Sequence, residues 1–93
     1  MTTVVIQIGN SDDKLTQKRW SMFAVEIRDI IKSYGQPTHF CGSSEPFTQW
    51  QNACFVIACD SEDIPYLREA LTVVRERHKQ DSIAITVGET EFI

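Results

Sequence analysis

Apolar residues recur along the chain with two different periods. Thr3 to Ile8 alternates, with Val4, Ile6 and Ile8 on one face and Val5 and Gln7 on the other, which is the two-residue period of a strand. Gly9-Asn10 ends it. From Trp20 the period lengthens. Trp20, Phe23, Ala24, Ile27, Ile30, Ile31 and Tyr34 fall on one helical stripe, while Arg19, Glu26, Arg28, Asp29 and Lys32 fall mostly elsewhere. Gly35 and Pro37 then predict a helix stop.

His39 to Gly42 reads as a short strand and Trp50 to Cys59 as a longer one, apolar on both faces from Ala53 onward as a central strand would be. Asp60-Ser61-Glu62-Asp63 predicts a helix cap with first-turn carboxylates, and Pro65 fits the first turn. Ile64, Leu67, Ala70, Leu71, Val74 and His78 form the second helical stripe. Ser82 to Val87 alternates again, Gly88 breaks it, and Glu89 to Ile93 is a bulged continuation or a small edge strand.

The order β-α-β-β-α-β predicts an α+β fold, a single domain over residues 1–93. It is the order of the ferredoxin-like two-layer sandwich, two helices on one face of a four-stranded antiparallel sheet. Right-handed crossovers then require the strand order 4-1-3-2.

That layout brings three polar segments to one edge of the sheet: Gly9 to Lys14, the hairpin Gly42 to Asn52, and Lys79 to Ser82. Loops on a rigid scaffold commonly carry binding residues, so the candidate ligand-binding set is Asn10, Ser11, Asp12, Asp13, Trp50, Gln51, Asn52, Gln80, Asp81 and Ser82. Each also has a plainer reading. Ser11 suits the cap of a helix that starts at Asp12, with Asp12 and Asp13 favoured by the dipole. A helix that starts after Thr16 instead puts Lys18 and Arg19 against the dipole, a broken local preference that hints at a nearby anion. The sequence does not separate the two starts. Trp50 either covers one end of the core or joins Phe47 as a stacking wall for a planar ligand, with Gln51 and Asn52 as donors and acceptors. Gln80-Asp81-Ser82 also reads as a simple turn.

Composition narrows the function more by exclusion. Hydrophobic residues at 42% and charged residues at 24% describe a globular chain, not a disordered one. The longest apolar run, Ala53 to Cys59, falls far short of the ~20 residues of a membrane span. The opening residues lack the basic stretch of an export signal, which predicts a cytoplasmic protein whose Cys41, Cys54 and Cys59 stay reduced. A net charge of −4 argues against holding nucleic acid. The RNA-recognition version of this fold is excluded further, because the first strand has no aromatic and Phe55 has no flanking Lys or Arg. No metal site is expected: His39 and Cys41 lack a second ligand pair, and Asp12-Asp13-Lys14 lacks the calcium-loop pattern. No cofactor is expected and no catalytic residue stands out, since neither His39 nor His78 has a nucleophile at a recognised spacing.

The segments Ile6 to Gln17, Trp50 to Cys54, Gln80 to Ala84 and Gly88 to Phe92 resemble a family of small uncharacterised proteins from bacteria and their phages. The resemblance covers about half the chain and implies no activity for any residue. Three function classes follow. The leading one is a non-enzymatic module that binds a small polar or nucleotide-like ligand at the loop edge. The others are a protein-interaction module, such as a phage-encoded inhibitor of a host defence enzyme, and a small enzyme using Asp12, Asp13 or Asp81 as acid and base. Finally, Val5, Cys54, Val56 and Ala58 make the sheet face away from the helices apolar, which predicts a homodimer closed face to face. The plainer reading is that Gln7, Thr86 and residues 89–93 shield that face within one chain.

Overall fold

The computed structural model describes residues 2–34 and 38–93. The predicted stop at Gly35 to Pro37 lies outside them. Six main elements follow in order: β1 (Thr2–Gly9), α1 (Gln17–Tyr34), β2 (Thr38–Ser43), β3 (Asn52–Ala58), α2 (Ile64–Arg77) and β4 (Ala84–Glu89). Short 3-10 turns at Ser11–Asp13 and Ser61–Asp63 lead into the two helices. The strands form one antiparallel sheet in the order β2-β3-β1-β4, which reads 4-1-3-2 from the β4 edge.

One face of this sheet is dry. Val4, Ile6 and Ile8 of β1 and Ala53, Phe55 and Ile57 of β3 are buried together with Trp20, Phe23, Ile27 and Ile31 of α1 and Ile64, Leu67, Leu71 and Val74 of α2. The alternating and helical stripes of the sequence are therefore the inner surfaces of the two layers. Trp20 and Phe23 meet edge to face, with ring centroids 6.0 Å apart.

The other face carries Val5, Gln7, Cys54, Val56, Thr86 and Ala84 in cross-strand rows, with Phe40 and Gly42 of β2 beside Val56 and Cys54. Val5, Cys54 and Val56 are half-buried there and Ala58 is buried. β2 stands apart from the helix layer: all its residues are exposed except half-buried Gly42.

Several element ends differ from the sequence expectation. Trp50 has φ 56°, in the left-handed region, so β3 starts only at Asn52. Asp12 and Asp13, at φ 54° and 53°, likewise bar a right-handed helix from starting at Asp12 with Ser11 as its cap. The helix begins after Thr16, whose Oγ accepts from the Arg19 N–H at 3.2 Å. Asp60 makes no side-chain cap; its carbonyl accepts from the Asp63 N–H at 2.9 Å and closes the 3-10 turn instead. Gly88 does not break β4, because it stays in register opposite Thr3 and the strand runs on to Glu89. Val87 shares a face with Ile83 and Ile85 but is exposed, while the two isoleucines pack on the core.

Candidate functional site at the loop edge

The three polar segments meet as expected. The Asn10 N–H donates to the Gln51 carbonyl at 2.8 Å, extending the β1–β3 ladder past the strand ends. The Ser11 N–H donates to Gln80 Oε1 at 2.8 Å, and the Asp81 N–H donates to Ser11 Oγ at 3.2 Å. The Trp50 N–H donates to Asp13 Oδ1 at 3.1 Å, and Lys14 Nζ lies 3.5 Å from an Asp81 oxygen. Asn10, Ser11, Asp13, Trp50, Gln51, Gln80 and Asp81 thus form one connected network.

The three amides of that network face inward, while Asp13, Trp50 and Asp81 are exposed. Asn10, Gln51 and Gln80 are buried, and buried amides require partners. Asn10 Oδ1 accepts from the Leu15 N–H at 2.9 Å and its Nδ2 donates to the Leu15 carbonyl at 3.0 Å, so one side chain closes the loop between β1 and α1. Gln80 Nε2 donates to the His78 carbonyl at 3.3 Å, while its backbone exchanges bonds with Arg75 at 3.0 and 3.2 Å. Gln51 pairs its amide with that of Gln17, and Gln17 Oε1 also accepts the Phe47 N–H at 3.0 Å. Gln17 is the residue that sequence reasoning missed. Its position, first in α1 beside the hairpin, could have been found only by knowing where the helix starts.

What remains on the outside is a shallow hollow of about 420 Å³ between Ser11-Asp12, Trp50-Asn52 and Ser82, which runs onto the uncovered sheet face at Gln7 and Ala84. Asp13, Gln80 and Asp81 do not line it. Trp50 is 61% exposed and does not cover the core. Phe47, at φ 62°, is 83% exposed. Asp13 and Asp81 are committed to different partners, Trp50 and Lys14, across this edge.

The reversed charges at the start of α1 stand near the end of α2. Glu26 of α1 bonds both Arg77 at 3.1 Å and His78 at 2.9 Å, at the end of α2. Thr16 and Arg19 line one hollow with Arg77, His78 and Lys79, so the carbonyl end of α2 lies beside the amide end of α1. Arg19 opposes its own helix dipole and shares this hollow at the end of α2 with Lys14, Arg77 and Lys79. Among the described residues, no group of three or more His, Cys, Asp or Glu is placed to hold a metal ion. No helix among them is long and apolar enough to cross a membrane.

Neither a protein-family model nor a curated protein matches the chain. Among solved structures it is similar to a de novo designed protein, Foldit4, with a TM-score of 0.65 at 15% identity over 97% of this chain and 98% of that one. At that identity the likeness is one of fold.

Proposed function

We propose that this chain is a ferredoxin-like, non-enzymatic interaction module of the cytoplasm that docks a partner protein on the tip of its β2–β3 hairpin. One observation carries the reading. Phe47 and Trp50 are both held in left-handed backbone, which costs a bulky residue on the order of 1 kcal/mol each, while their rings stay in solvent. Gln17 and Asp13 accept the two backbone N–H groups and fix this display. Rigid exposed aromatics are what hot spots are built from. A host enzyme blocked by a phage-encoded inhibitor is one partner of this kind, in line with the resemblance to bacterial and phage proteins. The test is affinity capture from a lysate of the cells that make the protein. A partner captured by the native chain and lost on Trp50→Ala or Phe47→Ala, with the fold intact by circular dichroism, supports the reading. Equal capture by both variants overturns it.

The small-ligand reading rests on the hollow beside Trp50, where Asp12, Asn52 and Ser82 are exposed. It is second because small-molecule sites bury most of their ligand, whereas this hollow is shallow and Asn10, Gln51 and Gln80 are spent on internal bonds. A thermal shift with nucleotides that Asn52→Ala abolishes would reverse the order.

The uncovered sheet face supports a homodimer. Its positions on four strands, Thr3, Val5, Gln7, Phe40, Gly42, Cys54, Val56, Ala58, Ala84, Thr86 and Gly88, include no charged residue. Four strands at about 4.8 Å spacing and about 24 Å length give a face of roughly 500 Å², so a pair buries roughly 1,000 Å², the lower end for specific interfaces. Light scattering at micromolar concentration tests this. A mass of 10.6 kDa that neither dilution nor Val56→Lys changes overturns it.

A further inference from the structure

β2 is bare on three sides. Its residues are exposed on both faces, and among the described residues no strand pairs with its outer edge. The pairing register fixes which backbone groups are unused. The Ser44 N–H donates to the Asn52 carbonyl at 2.9 Å, so in an antiparallel ladder the bonded pairs are Ser44–Asn52, Gly42–Cys54 and Phe40–Val56. Cys41 and Ser43, which alternate with them, direct their N–H and C=O groups outward. Folded proteins usually guard such an edge with Lys, other charges or Pro. Thr38 to Ser43 contains none of these, and the register shift between Thr38 and Phe40 disturbs only the first half of the strand.

Beside this edge runs a groove of about 370 Å³ between α1 and β2, walled by Trp20, Ala24, Val25 and Phe55 and flanked by Arg28 and Cys41. Cys41 and Ser43 pair with Phe55 and Ala53, so their side chains lie on this groove side of the sheet. A further strand on β2 would present every second side chain to the groove. No carboxylate among the described residues lies within ion-pair distance of exposed Arg28.

We propose that the edge of β2 at Cys41 and Ser43 accepts an extended segment of a partner protein as a fifth strand, which sets an apolar side chain in the groove and a carboxylate beside Arg28. Backbone bonds to the edge supply affinity without sequence preference, and the groove and Arg28 supply the preference. This surface is separate from the Phe47–Trp50 tip and does not depend on it.

The test is amide hydrogen exchange by NMR with the capped peptide Thr-Val-Thr-Val-Thr-Glu-Thr-Val, whose Val and Glu share one face, and its Glu-to-Lys twin. The expected result is exchange at Cys41 and Ser43 slowed at least about tenfold by the first peptide. The Lys twin binds about two- to fivefold more weakly, the range of a surface ion pair, and Arg28→Glu inverts the preference. Unchanged exchange at millimolar peptide overturns the proposal. So does protection in the free chain that vanishes on dilution, which assigns the edge to a second copy. Equal binding of the twins overturns the role of Arg28.

Discussion

The ring of Phe40 lies over Gly42 on the uncovered face of the sheet: a Cβ added to Gly42 would stand 2.7 Å from Phe40 Cζ and 3.0 Å from Cε2. The two residues are neighbours on one side of the same strand, and the missing side chain makes room for the aromatic. Since the ring is the outer end of a half-exposed side chain, it can swing away. Gly42→Ala therefore sets a lost ring contact against a gain of about 0.4–1 kcal/mol from a stiffer unfolded chain. The expected outcome in urea unfolding is a change within about 1 kcal/mol in the native background and a stabilisation of about 0.4–1 kcal/mol in a Phe40→Ala background. Identical effects in both backgrounds would show that the ring does not rest there.

Asn10 and Asp12 stand two residues apart in one loop and have opposite roles. Asn10 is buried and makes both of its amide bonds to Leu15, whereas Asp12 is exposed at the hollow. Asn10→Ala leaves the half-buried N–H and C=O of Leu15 without their partners and is expected to lower stability by about 1–3 kcal/mol. Asp12→Ala is expected to stay within about 0.5 kcal/mol, as surface changes do. Chemical denaturation of the two variants decides the point, and equal losses would contradict the assignment.

These two residues also mark how far the sequence could be read. The stripes that hold Ile6, Phe23, Ile57 and Leu67 were legible because burial on one face enforces a period. The meeting of the three loops was legible because two crossovers and a hairpin leave little choice of layout. The direction in which each loop side chain turns was not. Asn10, Gln51 and Gln80 look like ligand groups in sequence and are fasteners in the fold, because an amide serves a buried backbone as well as it serves a ligand. The left-handed turns at Asp12, Asp13, Phe47 and Trp50 were equally hidden. No Gly signals them, and distant partners such as Gln17 hold the hairpin ones.

Glu26 joins the helices by bonding both His78 and Arg77, and His78 also rests its ring on Phe23 with centroids 5.2 Å apart. The imidazole is buried, so removing its partner strands a polar nitrogen. Glu26→Ala is expected to cost about 1–3 kcal/mol, while Glu76→Ala, on an exposed pair with Arg75, is expected to cost under about 1 kcal/mol. Thermal melts of the two variants at equal pH test the contrast; a Glu26→Ala melt that matches the native one would remove the helix-joining role.

Cys59 follows β3 and is buried at the core, with its Sγ 3.5 Å from the Asp60 carbonyl. Burial pushes its thiol pKa up, and the nearby carboxylates of Asp63 and Asp60 push the same way. The folded chain therefore holds this proton more tightly than the unfolded chain, whose thiol titrates near 9.0. The resulting stability is complete below that value and falls as pH rises toward the folded pKa, because the unfolded state ionises first. Native protein should lose stability from about pH 8 to about pH 10 more steeply than Cys59→Ala, which has no thiol to titrate. Measured at fixed ionic strength, the slopes compare directly even if the alanine variant is less stable throughout. The same burial orders the thiols toward iodoacetamide: exposed Cys41 is alkylated first and Cys59 last. Parallel slopes, together with early alkylation at Cys59, would mean that this thiol is not shielded by the core.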